Sequence, residues 1–171
     1  RDFDLSEKEK LPVRQDIFTV LSSVLGIGFL PKMPGTFGTL AAAAIYLCLP
    51  SSWLMNFPQA LCFAAALIIL YFIGVFITGK AEYKLGHDAG SIVFDEFIAY
   101  FICVLLLPKS ILMAIYTFAL FRVFDIAKPW PIKLSQKLKG GWGIMTDDVI
   151  AAVYTNLLMQ ILVRIYPHFF I

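Results

Sequence analysis

Charge is what this chain has least of, and it is missing unevenly. Only 15% of the 171 residues are Asp, Glu, Lys or Arg, and none lies between Met33 and Gly79. A net charge of +2 supplies no clustered basic face, so nucleic acid is not expected as a partner. Cysteine is scarce too. Cys48, Cys62 and Cys103 are scattered through apolar stretches with no CxxC spacing, which argues against a disulfide framework or a thiolate metal site and predicts small buried hydrophobes. No repeat, low-complexity tract or second domain stands out.

What remains is apolar. Hydrophobic residues make up 60% of the chain and the mean hydropathy is +0.80, against about 50% apolar residues in ordinary globular domains. The composition is that of an integral membrane protein. Residues 1–16 carry nine charges of mixed sign and read as a solvated leader; residues 17–171 read as one membrane-embedded domain. A spanning helix needs about 20 mostly apolar residues. Five candidates meet or approach that length: 38–55, 60–78, 91–107, 110–127 and 148–166. A sixth stretch, 17–30, is shorter and contains Gly26 and Gly28, which predicts an interfacial or re-entrant helix. The expected fold is therefore all-α, a polytopic bundle of about five transmembrane helices plus that short N-terminal helix.

If the five spans alternate, segments 31–37, 79–90 and 128–147 emerge on one side with Lys32, Lys80, Lys84, Lys128, Lys133, Lys137 and Lys139, while the opposite turns carry only Lys109. The excess of lysine makes the first side cytoplasmic. After Asp16 the chain has only seven acids, and five of them fall at that same boundary. Asp95 and Glu96 open one span, Asp125 closes the next, and Asp147 and Asp148 stand at the start of the last. Carboxylates crowded at one depth repel unless a cation sits among them, and a hard divalent ion such as Mg²⁺ prefers oxygen ligands of this kind. Capping explains an acid at a helix start equally well, but not Asp125 at a helix end.

Cations suited to an anion lie beside these acids. Arg122 and Asp125 share a helix face at i, i+3 spacing, and Lys128 follows just before Pro129. An arginine fork and a mobile lysine suit phosphate. The Pro34-Gly35-Thr36-Phe37-Gly38 stretch ahead of a span adds a weaker phosphate signal, a helix start that glycine lets a ligand approach. Glu82, Lys80 and Lys84 read as a solvated loop, Lys133, Lys137 and Lys139 as contacts to anionic headgroups, and Trp130, Trp142 and His168 as interfacial anchors.

Four segments together, Pro34-Gly35-Thr36-Phe37-Gly38-Thr39, Gly90-Ser91-Ile92-Val93-Phe94-Asp95-Glu96-Phe97, the run from Phe121 to Pro131 and the run from Gly140 to Asp148, closely resemble phosphatidylglycerophosphatase A, over roughly Gly26 to the final span. The resemblance implies a bacterial inner-membrane enzyme with its site facing the cytoplasm, hydrolysing phosphatidylglycerophosphate with Mg²⁺. It implies that Asp95, Glu96, Asp125, Asp147 and Asp148 hold one or two metal ions, and that Asp95, Glu96, Asp125 and Asp148 serve catalysis. Lys32, Thr36, Arg122 and Lys128 would bind the phosphate, with His87 and Asp88 as auxiliaries. The nucleophile is then a water or, alternatively, an aspartate that becomes phosphorylated. The partners implied are a phospholipid substrate and the bilayer. Two other readings are a phosphatase for a different lipid phosphate, such as phosphatidate, and a small cation- or proton-coupled transporter, which places its acids nearer mid-span.

Overall fold

The computed structural model describes residues 16–87 and 89–170; the leader, apart from Asp16, and Asp88 lie outside the described residues. All regular secondary structure among those residues is helical: α1 (Ile17–Ser22), a 3₁₀ turn (Ile27–Phe29), α2 (Pro34–Cys48), α3 (Ser51–Met55), α4 (Phe57–Leu85), α5 (Phe94–Cys103), α6 (Ile111–Ala127), α7 (Ile132–Ser135), α8 (Gly141–Ile165) and α9 (Pro167–Phe170).

Two helices, α4 and α8, are long and apolar enough to cross a membrane, and only 22% of the apolar window of α4 is buried in the protein. Its outward positions, such as Leu61, Ile68, Ile69 and Phe76, stay exposed. The small residues lie at the helix contacts instead. Cys48 and Cys62 share the outward apolar surface and only Cys103 is buried, which corrects the expectation of three buried thiols: in a chain this apolar, hydrophobicity alone does not separate core from periphery.

Three expected elements differ in detail. The first span breaks at Cys48, where Pro50 forces extended backbone before α3 starts. The one α-helix in the stretch 17–30 is the six-residue α1, about 9 Å long, followed by left-handed backbone at Val24, Leu25 and Gly26 and then the 3₁₀ turn. It is too short to cross. Asp16 caps α1 by accepting from the Thr19 N–H at 3.0 Å and is paired with Lys84 of α4. The Lys84 ammonium, together with that N–H, holds the Asp16 carboxyl at about 2; a depressed folded-state value means that this docking contact is intact above the ordinary carboxylate range and is lost as the pH falls through about 2.

The third difference concerns α5, which runs for only ten residues, about 15 Å or half a bilayer core. Non-helical chain from Val104 to Lys109 completes the path to the far end, where Lys109 meets the Leu49 carbonyl and the Ser110 hydroxyl donates to Phe170. Backbone that leaves a helix where the chain is buried, as at Val104 and Leu107, needs partners within the protein. The Asn156 amide of α8 supplies them, donating to the carbonyls of Ile102, Cys103 and Leu105 at 3.2, 2.9 and 2.8 Å, and Gln160 donates to Leu106 at 3.0 Å. Replacing Asn156 by Leu keeps the bulk and removes the donors. Denaturant titration in mixed micelles should show a loss of about 1–3 kcal/mol; unchanged stability would mean that these carbonyls find partners without Asn156.

The core joins α2, α5, α6 and α8 around Tyr46, Tyr100, Phe121 and Met145. Tyr100 anchors α5 to α6 by donating to the Ala114 carbonyl at 3.0 Å, and it packs edge-on against Tyr46 of α2. The N-terminal segment props the entry to α5. Val93 N–H donates to Ser22 at 2.9 Å, and Gly28 lies so close to the Ser91 carbonyl that a β-carbon there would come within 2.0 Å of it.

Candidate active site

Five carboxylates meet at one end of the bundle because three helices deliver them there. Asp95 and Glu96 stand in the first turn of α5. Asp125 lies in the last turn of α6, which ends as Lys128 turns left-handed. Asp147 and Asp148 belong to α8, but this helix begins at Gly141, well before them, so they lie about 10 Å inside its start. Gly140 occupies the N-cap position of α8, so neither aspartate caps it. The glycines that make 140–146 look like loop are there for packing. A β-carbon on Gly141 would lie 2.0 Å from the Val75 carbonyl of α4, and one on Gly143 would lie 2.5 Å from the Leu138 carbonyl.

Asp95, Glu96, Asp125, Asp147 and Asp148 line a single pocket of about 90 Å³ together with Lys128, Ala89 and Gly90. The volume matches roughly three waters, enough for a hydrated ion or a phosphoryl group and far too small for a whole lipid. Within the pocket the acids divide into two sets. Asp95, Glu96 and Asp148 each place one oxygen within 4.8 Å of the others. Asp125 and Asp147 instead face the cations. Arg122 Nη1 lies 2.6 Å from Asp125 Oδ2 and 3.7 Å from Glu96 Oε1, and Lys128 Nζ lies 2.5 Å from Asp147 Oδ2 and 3.9 Å from Asp125 Oδ1. Burial works against the Lys128 charge, but the hydrogen bond and field of Asp147 outweigh it, so the ammonium is held above its ordinary range and stays protonated.

A divalent cation fits these residues. Asp95 Oδ1, Glu96 Oε2 and Asp148 Oδ2 are buried without a hydrogen-bond partner, a costly state for carboxylate oxygens. Five carboxylates against Arg122 and Lys128 leave a formal excess of three negative charges. A phosphomonoester carries between one and two negative charges of its own near neutral pH. Without added positive charge, the pocket repels such a ligand.

The remaining residues singled out from sequence are spread around this centre. Gly35 abuts it: a β-carbon there would lie 1.9 Å from Glu96 Oε1 and 3.3 Å from Arg122 Nη1, so glycine lets the start of α2 touch the acidic helix. Thr36 follows with a buried hydroxyl lacking a hydrogen-bond partner, while Lys32 is exposed on left-handed backbone; neither lines the pocket. His87 lies over a smaller adjoining cavity of about 40 Å³, which shares Ile144 and Asp147 with the acidic pocket. Its partner is Glu82, which sits in the last turns of α4 and not in a solvated loop. Glu82 and Gln136, which lines that cavity, carry no sequence motif that would have marked them; the close spacing of Glu82 and His87 across the helix end at Gly86 is the one signal available.

The alignment of the chain with known proteins bears on this centre. Residues 20–163 match the family model described as Phosphatidylglycerophosphatase A. A protein from Haemophilus influenzae named phosphatidylglycerophosphatase A is 38% identical over 82% of this chain and 85% of its own length. The Escherichia coli K12 protein of the same name is 34% identical over 86% of this chain and 84% of its own. A Bacteroides thetaiotaomicron protein named putative phosphatidylinositol-3-phosphatase is 37% identical over 83% and 91%. No solved structure matches. The matched span begins within α1 and runs almost to the end of α8, taking in every described acid of the pocket, and the chain belongs to the phosphatidylglycerophosphatase A family.

Proposed function

We propose that this protein removes the terminal phosphate of phosphatidylglycerophosphate, releasing phosphatidylglycerol and inorganic phosphate in phospholipid biosynthesis, as a multi-pass protein of the bacterial inner membrane with its site at the cytoplasmic face. The observation that carries the chemistry is the set of three unpartnered, buried carboxylate oxygens on Asp95, Glu96 and Asp148 beside Arg122 and Lys128. Family membership supports the substrate. The outward apolar face of α4 supports the membrane, and the lysines clustered at the site end of the helices support the orientation.

Asp95, Glu96 and Asp148 would hold Mg²⁺, with Asp125 and Asp147 close by to complete or tune the set. Magnesium held there would neutralise charge on the phosphoryl oxygens and lower the pKa of water. The chain's own groups do the rest. Arg122 has a buried Nε with no hydrogen-bond partner and offers its guanidinium to the phosphoryl oxygens. Lys128, held protonated, adds a second positive charge against the developing negative charge of the transition state. Asp125 and Asp147 fix these two cations, and whichever carboxylate is not engaged by metal accepts the proton of the attacking water. The small pocket admits the phosphoryl group and leaves the acyl chains outside.

The lipids named for the relatives share one feature. Both phosphatidylglycerophosphate and phosphatidylinositol 3-phosphate carry a phosphodiester and, three carbons along, a phosphomonoester. The deciding experiment is phosphate release by the purified protein from a panel of lipids with matched acyl chains. Turnover of phosphatidylglycerophosphate should exceed that of phosphatidate at least tenfold. Hydrolysis of phosphatidate or phosphatidylinositol 3-phosphate alone would assign the site to a different lipid.

A further inference from the structure

Beyond the acidic pocket, the surface around the start of α8 carries two more cavities, each sharing lining residues with the one before it. The adjoining cavity under His87 and Gln136 shares Ile144 and Asp147 with the acidic pocket. It shares Gly140 with a third, much larger groove of about 630 Å³ on the α4 side of α8. Phe72, Phe76 and Trp142 supply apolar walls to this groove, and Lys80 and Lys139 also line it. Among the described residues neither lysine has a carboxylate partner, and Glu82, two positions after Lys80, is engaged by His87. Lys80 Nζ stands 5.8 Å from the Phe76 ring centroid, where a basic head meets an aromatic wall.

We propose that this groove holds the diacylglycerol end of the substrate while Lys80 and Lys139 grip its inner phosphodiester, so that the protein measures the distance between two phosphates. The inference rests on the lipid phosphatase reading above. Along α8, Gly140 and Asp147 are separated by about 10 Å. The two phosphorus atoms of a three-carbon bridged substrate are joined by six single bonds whose zigzag holds them about 7–8 Å apart at full extension, and the flexible four-carbon stems of the lysines span the remainder. The monoester then enters among Arg122 and Lys128, the bridging carbons with their hydroxyl lie under His87 and Gln136, and the diester reaches the paired lysines. Aromatic walls take the first part of the acyl chains. Phosphatidate has one phosphate and cannot occupy both cationic sites, so the second site confers selectivity for the two-phosphate lipid.

The test compares kcat/KM for phosphatidylglycerophosphate and phosphatidate in the same micelles. In Lys80→Gln/Lys139→Gln the ratio of the two should fall at least tenfold, and inhibition by phosphatidylglycerol, which keeps the diester without the monoester, should weaken at least fivefold. Lys133→Gln, an exposed lysine away from the groove, should keep the wild-type ratio. A retained ratio in the double variant, or equal losses on both substrates, overturns the proposal. Binding is also read without turnover. Phosphatidylglycerol with brominated chains should quench Trp142 fluorescence, taken as the difference from Trp142→Phe, more strongly than brominated phosphatidylcholine does, and the double variant should lose that preference. A wild-type protein with no such preference overturns the groove, whereas a wild-type protein that shows it but leaves phosphatidylglycerophosphate intact refutes only the assigned reaction.

Discussion

Phosphate release from phosphatidylglycerophosphate should stop when divalent cations are chelated with EDTA and return when Mg²⁺ is added in excess. The reason is electrostatic before it is catalytic. With its excess of negative charge, the pocket formed by Asp95, Glu96, Asp125, Asp147 and Asp148 cannot attract a phosphomonoester unless a cation first offsets the carboxylates. Removing the ion therefore raises KM and lowers kcat together. Calcium, which favours larger and more flexible coordination than Mg²⁺, should restore turnover poorly. Undiminished release in chelator would refute the metal reading and leave the three unpartnered carboxylate oxygens unexplained.

Asp148→Asn should lower kcat by roughly 10³-fold, the order expected when a group acting directly on transition-state charge is removed, and Asp95→Asn should behave in the same way. Asparagine keeps the size of each side chain while losing its charge. Neither residue caps a helix, and burying a neutral amide in place of a strained carboxylate relieves repulsion, so these variants should fold at least as stably as the wild type. Stability that holds or rises while activity collapses separates a ligand role from a structural one. Arg122→Lys should cost about 10²-fold, because lysine keeps the charge but cannot span Glu96, Asp125 and a phosphoryl oxygen with one planar fork. If Asp95→Asn and Asp148→Asn both retain wild-type turnover on the same lipid, the catalytic centre lies elsewhere.

The convergence of these acids was legible in the sequence because charge is so rare in it. With seven acids after Asp16, the expected alternation of spans puts five of them at one boundary, and the folded chain brings the same five into one pocket. Their division was not legible. Whether Asp125 faces Arg122 or joins Asp148 is decided by side-chain directions at helix ends, about which hydropathy says nothing. Helix lengths are not legible for a related reason. The apolar run from Phe97 to Leu107 looks the same whether it is helix throughout or helix followed by extended chain, because neither form exposes a polar side chain. The decisive residue, Asn156, lies in a different segment. At Gly140 to Thr146 the local glycine content points to loop, and close packing on the Val75 carbonyl outweighs it.

The truncation of α5 also decides what fixes the position of the acids in depth. Asp95 precedes Cys103 by the same number of residues as Asp148 precedes Asn156, and the two helices run in the same direction from the site. The bond from Asn156 to the Cys103 carbonyl at 2.9 Å thus closes a frame with two equal sides, and sliding either helix by a turn would break it. Bilayers of different thickness are ordinarily accommodated by tilting or shifting individual helices. In the membrane setting proposed above, α5 and α8 would tilt as a unit, so that the spacing of Asp95 and Asp148 is set by contacts inside the protein rather than by the thickness of the lipid around it.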